Sequence, residues 1–129
     1  DRYTTVIVFD EESFERYVPN LEPGGWLFYN SSVIKNCKIP ENVKSVPLAV
    51  SEIAALKGIS KVSNMLVLGA FAKFTGYFSL DELVRGMEIY LPVWRHKLIP
   101  INRQILAGVF SSTEEELLTP PEAFVKSTV

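Results

Sequence analysis

The run TTVIVF at residues 4–9, followed by DEESFERYV at 10–18 and WLFY at 26–29, decides the fold of this chain. The first run is β-branched or apolar throughout, which is typical of a strand buried on both faces of a parallel sheet. Asp10 stands at the N-cap of the helix that follows, and the PGG at 23–25 turns the chain after it. Strand, helix and strand in fewer than thirty residues predict a compact βαβ unit with a right-handed crossover.

The rest of the sequence predicts one more strand and then helices. Gly69 lies inside an apolar helix that is predicted at residues 61–75. Glycine there costs about 1 kcal/mol relative to alanine, which indicates that another backbone approaches closely. The pattern predicts an α/β fold with a mainly parallel sheet and a helix-rich second half. The predicted elements are an edge strand at 46–50 containing Pro47, a helix from Glu52 with Ser51 as its cap and Gly58 at its end, the apolar central helix at 61–75, a helix at 80–91 opened by the capping box of Ser79 and Glu82, and a helix at 101–109.

Composition excludes several classes of protein. The chain has 129 residues, 47% of them hydrophobic and 22% charged, which fits one globular domain rather than a disordered or collagen-like chain. The formal net charge is −2 and the cations are scattered, so nucleic-acid binding is not expected. The longest apolar stretch, residues 65–74, is shorter than the roughly 20 residues that cross a bilayer. We therefore expect no membrane association, and a cytoplasmic location.

Two reactive side chains occur once each. Cys37 has no partner for an intramolecular disulfide, and one cysteine cannot hold an iron–sulfur centre. Its neighbours Lys35 and Lys38 are expected to lower its pKa. A nucleophilic pair of Cys37 with His96 is one interpretation; an exposed loop cysteine and an exposed connecting histidine are the alternative.

Short polar residues follow the second predicted strand. Asn30, Ser31 and Ser32 lie where ligands gather in parallel α/β sheets, at the carboxyl end of a strand. The alternative is that they only satisfy the backbone of a turn. Asn64, near the start of the central helix, is a further candidate, with a helix-end hydrogen bond as its alternative. Phosphate loops, dinucleotide fingerprints, HExxH and GxSxG sequences are absent, so no catalytic residue and no metal ligand is predicted.

Several ordered stretches resemble one protein family. The sequence is similar to the gamma subunit, or gamma domain, of the 2-oxoacid:ferredoxin oxidoreductases that act on pyruvate, 2-oxoglutarate or branched-chain 2-oxoacids. The similar stretches are VFDEESF at 8–14, LEPGG at 21–25 with YNSS at 29–32, VPL at 46–48 with EIA at 52–54, KVSNM at 61–65 with LGA at 68–70, and Asn102 with AG at 107–108.

This resemblance implies a Rossmann-like, three-layer αβα domain inside a multi-subunit enzyme. Such enzymes oxidatively decarboxylate a 2-oxoacid onto coenzyme A and pass the electrons to ferredoxin. Thiamine diphosphate and iron–sulfur clusters are held by other chains, so this chain is expected to hold no cofactor and to be a non-catalytic subunit. The implied partners are alpha, beta and delta subunits, with ferredoxin met through the holoenzyme. The resemblance makes four polar residues candidates for a coenzyme-facing crevice or an interface: Asn30, Ser31, Ser32 and Asn64. The favoured substrate is 2-oxoglutarate.

One departure from the family leaves alternatives open. Whole members begin with a Gly-x-Gly-Gly-Gln-Gly loop that this sequence lacks. We therefore expect a domain at residues 1–110 that is incomplete at its N-terminus, followed by a tail at 111–129. A stand-alone Rossmann-like binding or scaffolding domain, able to form a homodimer through its sheet edge, is the main alternative. A nucleotide-binding Rossmann domain is another.

Overall fold

The first half of the chain supplies the strands and the second half is helical. The computed structural model describes residues 2–56 and 63–118. The predicted division between the two halves is therefore confirmed within these residues. The elements in chain order are β1 (Tyr3–Val8), α1 (Glu11–Tyr17), a 3-10 helix (Val18–Asn20), β2 (Leu21–Asn30), β3 (Lys44–Leu48), α2 (Val50–Leu56), α3 (Ser63–Thr75), α4 (Leu80–Tyr90), a second 3-10 helix (Val93–Leu98), α5 (Ile99–Ser111) and α6 (Glu114–Leu118).

The strands form a parallel sheet in the order β1-β2-β3. Val6 of β1 is aligned with Leu27 of β2, and the next residue of β2, Phe28, is aligned with Val46 of β3. Because α1 connects β1 to β2, the predicted βαβ unit is confirmed. Pro47 lies in β3 at the edge of this sheet, where a residue without an N–H is tolerated, as predicted.

The larger core lies between one face of the sheet and the helices α2, α3, α5 and α6. Phe28 is fully buried at its centre, and its ring meets Phe71 and Phe74 of α3 edge-on at centroid distances of 5.6 and 6.3 Å. Edge-to-face pairs add stability beyond the area they bury. The predicted central role of α3 is confirmed from Ser63 onward, whereas residues 61 and 62 lie outside the described part of the chain.

A second core covers the opposite face of the sheet. There Val6 and Val8 of β1 and Leu27 of β2 pack against Phe14 of α1 and Val18 of the first 3-10 helix. Alternate residues of β2 thus point into the two cores, which requires the period-two geometry of a strand. With helices on both faces of a parallel sheet, the chain has the α/β, Rossmann-like three-layer fold that was expected.

The burial of β1 differs from the prediction. Val6 and Val8 are buried, but Ile7 and Phe9 are 39% and 41% exposed, so the expectation of a strand buried on both faces is wrong. The reason is position in the sheet: β1 is an edge strand, and the helices of the larger core pack over β2 and β3. Ile7 is aligned with Phe28 on that core face, beyond the cover of the helices.

The PGG segment does not form the predicted turn before β2. β2 begins at Leu21, and residues 23–25 lie inside it as an irregularity. The alignment with β1 shows this directly, since Tyr3 faces Leu21 whereas Thr5 faces Trp26. Gly24 adopts a φ of 79°, a left-handed conformation that favours glycine, so the extra residues are accommodated without ending the strand.

Several helix termini follow the sequence signals. The Asp10 carboxylate accepts a hydrogen bond of 2.7 Å from the backbone N–H of Ser13, and this bond lowers the pKa of Asp10 below its ordinary value. Ser79 and Glu82 form the reciprocal bonds of the predicted capping box. Gly76, with a φ of 72°, follows α3 immediately.

The start of α2 and the packing at Gly69 differ in part from the prediction. α2 begins at Val50, one residue before Ser51, so Ser51 lies in the first turn and its predicted role as the cap is wrong. The predicted stop at Gly58 lies outside the described residues. Gly69 faces α5: a Cβ placed there would lie 3.1 Å from the Val109 side chain. The close approach is confirmed, although side chains of α5 rather than its backbone make the contact.

The beginning of the predicted tail is ordered. Residues 114–118 form α6, and Leu117 is almost completely buried in the larger core beside β3. Its burial contributes about 1.5–3 kcal/mol, comparable with a central core residue. Phe124, further along the predicted tail, lies outside the described residues.

Candidate functional site at the carboxyl ends of β2 and β3

The candidate site lies where β2 and β3 end side by side. Asn30 is the last residue of β2, is aligned with Leu48 of β3 and is one of the few buried polar residues. Ser31 continues the pairing for one more residue, since its backbone N–H donates to the Leu48 carbonyl at 2.8 Å. The chain then turns away from the sheet. The predicted position of these residues at a strand end is therefore correct.

Asn30 organises the turn. Its side-chain oxygen accepts a bond of 3.1 Å from the backbone N–H of Ser32. Its backbone carbonyl accepts from the N–H groups of Val33 and Ile34, at 3.2 and 2.9 Å. A buried amide with these partners is typical of an Asx turn. Asn30 therefore does satisfy the backbone of a turn, as the alternative in the sequence analysis predicted. Its amide nitrogen is left for other partners.

Ser32 joins this turn to α2. Its hydroxyl donates to the Glu52 carboxylate and accepts a bond of 3.2 Å from the backbone N–H of Ser51. Both bonds cross from the end of β2 to the first turn of the helix that follows β3. They tie the end of β2 to the start of α2, because one hydroxyl bonds to both the backbone and a side chain of that helix.

Two of the predicted residues keep free polar groups. The Ser31 hydroxyl is half-exposed and forms no hydrogen bond with residues 2–56 or 63–118. Asn64 is exposed in the first turn of α3, and no hydrogen bond within these ranges connects it to Asn30, Ser31 or Ser32. The structure therefore brings three of the four predicted residues together and leaves Asn64 on a separate helix.

Glu52 is the member of this cluster that the sequence did not reveal. It is half-buried and lies twenty residues from Ser32, so no local spacing indicates their contact. A usable signal does exist: β2 and β3 are adjacent and parallel, and the residues just after each must meet at one edge of the sheet. Ser32 and Glu52 occupy those positions.

Cys37 and His96 do not form a nucleophilic pair. Cys37 packs with the second core, on the α1 face of the sheet, whereas His96 lies in the 3-10 helix before α5, on the other side. His96 Nε2 lies 2.9 Å from the Leu91 carbonyl, to which it donates. The predicted effect of the lysines is also wrong: partial burial raises the pKa of the Cys37 thiol, and the carboxylates of Glu11 and Glu15 raise it further.

Metal sites and membrane-spanning helices are two further possibilities in the described ranges. No group of three or more histidine, cysteine, aspartate and glutamate side chains is arranged there to hold a metal ion. Among the helices described, none has both the length and the apolar character needed to cross a membrane. The strand-end cluster of Asn30, Ser31, Ser32 and Glu52 is therefore the best-defined polar site of the described chain. The cluster offers hydrogen-bond donors and acceptors, and its Ser32 hydroxyl donates to the Glu52 carboxylate.

Comparisons with known proteins show which proteins the chain is similar to. The sequence matches the family model described as Pyruvate ferredoxin/flavodoxin oxidoreductase over residues 1–111. No curated protein matches the sequence. The fold is similar to the crystal structure of the gamma subunit of a keto/oxoacid ferredoxin oxidoreductase from Geobacter sulfurreducens PCA, at 21% identity and a TM-score of 0.66. That match covers 83% of this chain and 62% of the other.

A second solved structure is also similar. It is the 2-oxoglutarate:ferredoxin oxidoreductase from Magnetococcus marinus with 2-oxoglutarate, coenzyme A and succinyl-CoA bound, at 22% identity and a TM-score of 0.61. The match covers 98% of this chain but 20% of that one, so the chain spans only part of each structural relative. Since the family model covers most of the sequence, the resemblance is confirmed: the chain belongs to the pyruvate ferredoxin/flavodoxin oxidoreductase family.

Proposed function

We propose that this chain is the gamma subunit, or gamma domain, of a 2-oxoacid:ferredoxin oxidoreductase. That enzyme would join the acyl group of a 2-oxoacid to coenzyme A, release carbon dioxide and transfer two electrons to ferredoxin. The observation that carries the proposal is the family match over residues 1–111, which includes the strand-end cluster and both cores apart from Leu117. The gamma assignment is supported by the similarity in fold to the Geobacter sulfurreducens subunit.

In this proposal the chain contributes structure rather than catalysis. A cubane iron–sulfur cluster requires four cysteine thiolates, and Cys37 is the single cysteine of the sequence. Its side chains therefore do not fit such a cluster. Thiamine diphosphate would stabilise the carbanion left by decarboxylation, and we assign it, with the clusters, to alpha, beta or delta partners. The chain would meet ferredoxin only through the holoenzyme, in the cytoplasm.

The strand-end cluster is our candidate for a coenzyme-facing crevice or a subunit contact. The Glu52 carboxylate beside Ser32 disfavours a phosphate group, because two negative charges would lie close together. The same oxygens accept hydrogen bonds from neutral donors, such as the amide N–H groups in the arm of coenzyme A. The Ser31 hydroxyl and the amide nitrogens of Asn30 and Asn64 would then contribute further bonds.

For the substrate we favour 2-oxoglutarate over pyruvate. The support is the similarity to an enzyme solved with 2-oxoglutarate and succinyl-CoA bound. Specificity would be set by the subunits that hold the substrate, since residues of this chain would contact it only indirectly.

The proposal is tested by affinity purification from the natural source. A tagged copy of the chain should recover a protein that contains thiamine diphosphate, in a fixed ratio, and the recovered material should reduce ferredoxin when given 2-oxoglutarate and coenzyme A. Pyruvate in place of 2-oxoglutarate tests the substrate preference. Recovery of the chain alone, or turnover by the purified chain without other subunits, would refute the assignment.

A stand-alone binding or scaffolding domain remains a second candidate because of one observation. Ile7 and Phe9 expose apolar surface on an edge strand, and such edges can pair with a second copy. This candidate predicts a homodimer in solution whose dissociation constant rises when Ile7 is replaced by lysine. Sedimentation equilibrium of the wild type and of Ile7→Lys would distinguish the two functions.

A further inference from the structure

An unusual concentration of exposed apolar side chains lies where α4, the second 3-10 helix and α5 meet. We call residues 89–101 the junction surface. Its exposed large residues are Ile89, Tyr90, Val93, Trp94, Leu98 and Ile101. Their exposed fractions are 46–85%, so if each large side chain has about 200 Å² of surface, together they expose about 800 Å². One partner buries about the same area in a typical specific interface.

Three contacts link the residues in and beside the junction surface. His96 donates to the Leu91 carbonyl across the connection between α4 and the 3-10 helix, at 2.9 Å. The Arg95 guanidinium lies 4.7 Å from the centre of the Trp94 ring, a cation–π contact. Arg103 of α5 forms an ion pair of 3.2 Å with Asp81 of α4. Aromatic side chains that are already ordered lose little entropy when a partner covers them, so this surface is suited to binding.

The charge of the junction surface is opposite to that of the chain as a whole. Within residues 89–101 the charged side chains are the cations Arg95 and Lys97, with no carboxylate, in a chain with a net charge of −2. Two-fold pairing with a second copy would bring together two patches that both carry Arg95 and Lys97, and these like charges repel. The arrangement instead favours a different protein with carboxylates around an apolar centre.

We infer that the junction surface binds another subunit or domain of the same oxidoreductase, through an apolar patch surrounded by acidic side chains. This inference rests on the proposed function. The Magnetococcus marinus structure supports the choice of partner, because the region similar to this chain is a fifth of a much longer chain and so shares its polypeptide with other domains. Tyrosine, tryptophan and arginine, which this surface presents at its centre, are the residues most enriched among strong contributors to protein interfaces.

The test compares substitutions that differ only in location. Tyr90→Glu places a charge in the junction surface, and Tyr77→Glu places the same charge at an exposed tyrosine outside it. Each variant is titrated against the purified thiamine-diphosphate-containing subunits from the same source, with biolayer interferometry, after its melting temperature has been measured. We expect Tyr90→Glu to weaken binding at least about 30-fold, the loss typical of a central interface residue, and Tyr77→Glu to weaken it less than about threefold. Lys97→Glu should slow association and reduce its dependence on salt.

The outcomes separate this inference from the proposed function. If wild type binds the subunits but Tyr90→Glu binds equally well, the junction surface is not the interface, while the proposed function stands. If wild type does not bind them, both fail. Binding of single-stranded RNA or anionic vesicles that Tyr90→Glu abolishes, without binding to the subunits, would assign the surface to another class of partner and overturn the inference.

Discussion

Gly25 is the position at which the geometry of the sheet makes its sharpest prediction. A Cβ on Gly25 would lie 2.8 Å from the Thr4 carbonyl oxygen, 2.9 Å from the Glu22 carbonyl oxygen and 2.9 Å from the Leu21 side chain. Two of these contacts are with backbone, so they cannot be relieved by a change of rotamer. Gly25→Ala therefore requires β1 and the irregular part of β2 to move apart.

The magnitude follows from two opposing effects. Overpacking of this kind costs about 1–3 kcal/mol, whereas replacing glycine by alanine restricts the unfolded chain and returns about 0.4–1 kcal/mol. We expect a net loss of about 1–2 kcal/mol in the free energy of unfolding, or roughly 3–10 °C in melting temperature for a domain of this size. The matched control is Gly86→Ala in α4, where an added Cβ meets no atom within 4 Å. That variant should gain up to about 1 kcal/mol from helix propensity.

Urea unfolding followed by circular dichroism measures both variants. The midpoints should move in opposite directions while the slope of free energy against urea stays constant, because the surface exposed on unfolding is unchanged. A Gly25→Ala variant as stable as Gly86→Ala would show that the two carbonyls do not flank Gly25. The irregular pairing of β1 with β2 would then be wrong.

Three further predictions concern the core, the candidate site and the lone thiol. Phe28→Ala should lower the free energy of unfolding by about 3–5 kcal/mol, whereas Phe78→Ala, at an exposed position, should change it by less than about 1 kcal/mol in the same urea assay. Ser32→Ala should cost about 1–2 kcal/mol because it removes the link to Glu52, and the neighbouring Ser31→Ala should be nearly neutral; equal effects would contradict the bonding described. Because the raised pKa of Cys37 lowers its thiolate fraction at pH 7, iodoacetamide should modify it more slowly than a free cysteine, and Glu11→Gln should speed the reaction; an unchanged rate in Glu11→Gln would exclude the carboxylate effect.

Local signals in the sequence were enough to predict most elements of the fold. The capping box of Ser79 and Glu82, the Asp10 cap and the apolar run of α3 each depend on residues within a few positions of one another, and each is present as predicted. The strand containing Pro47 lies at the edge of the sheet as predicted, although it spans Lys44–Leu48 rather than residues 46–50. Local patterns are reliable here because the hydrogen bonds and helical faces that they describe are themselves local.

Several features that depend on distant contacts were not predicted, although the close approach at Gly69 was. The run at residues 4–9 is apolar throughout, and nothing in it shows that helices cover Phe28 but leave Ile7 exposed. The PGG of residues 23–25 has the composition of a turn, and only the pairing with β1 makes it an irregularity within β2. At the candidate site, the polar residues after β2 were identified, but Glu52 was not, because its contact with Ser32 is created by the parallel pairing of β2 and β3.

We propose that this chain completes a 2-oxoacid:ferredoxin oxidoreductase without performing its chemistry. The most direct measurement is the rate of ferredoxin reduction, with 2-oxoglutarate and coenzyme A, by the other subunits of the enzyme with and without this chain. We predict no turnover by the chain alone, and a rate for the other subunits that rises with added chain and saturates at a fixed stoichiometry. A rate that is the same with and without the chain, at concentrations well above those of the other subunits, would contradict the claim.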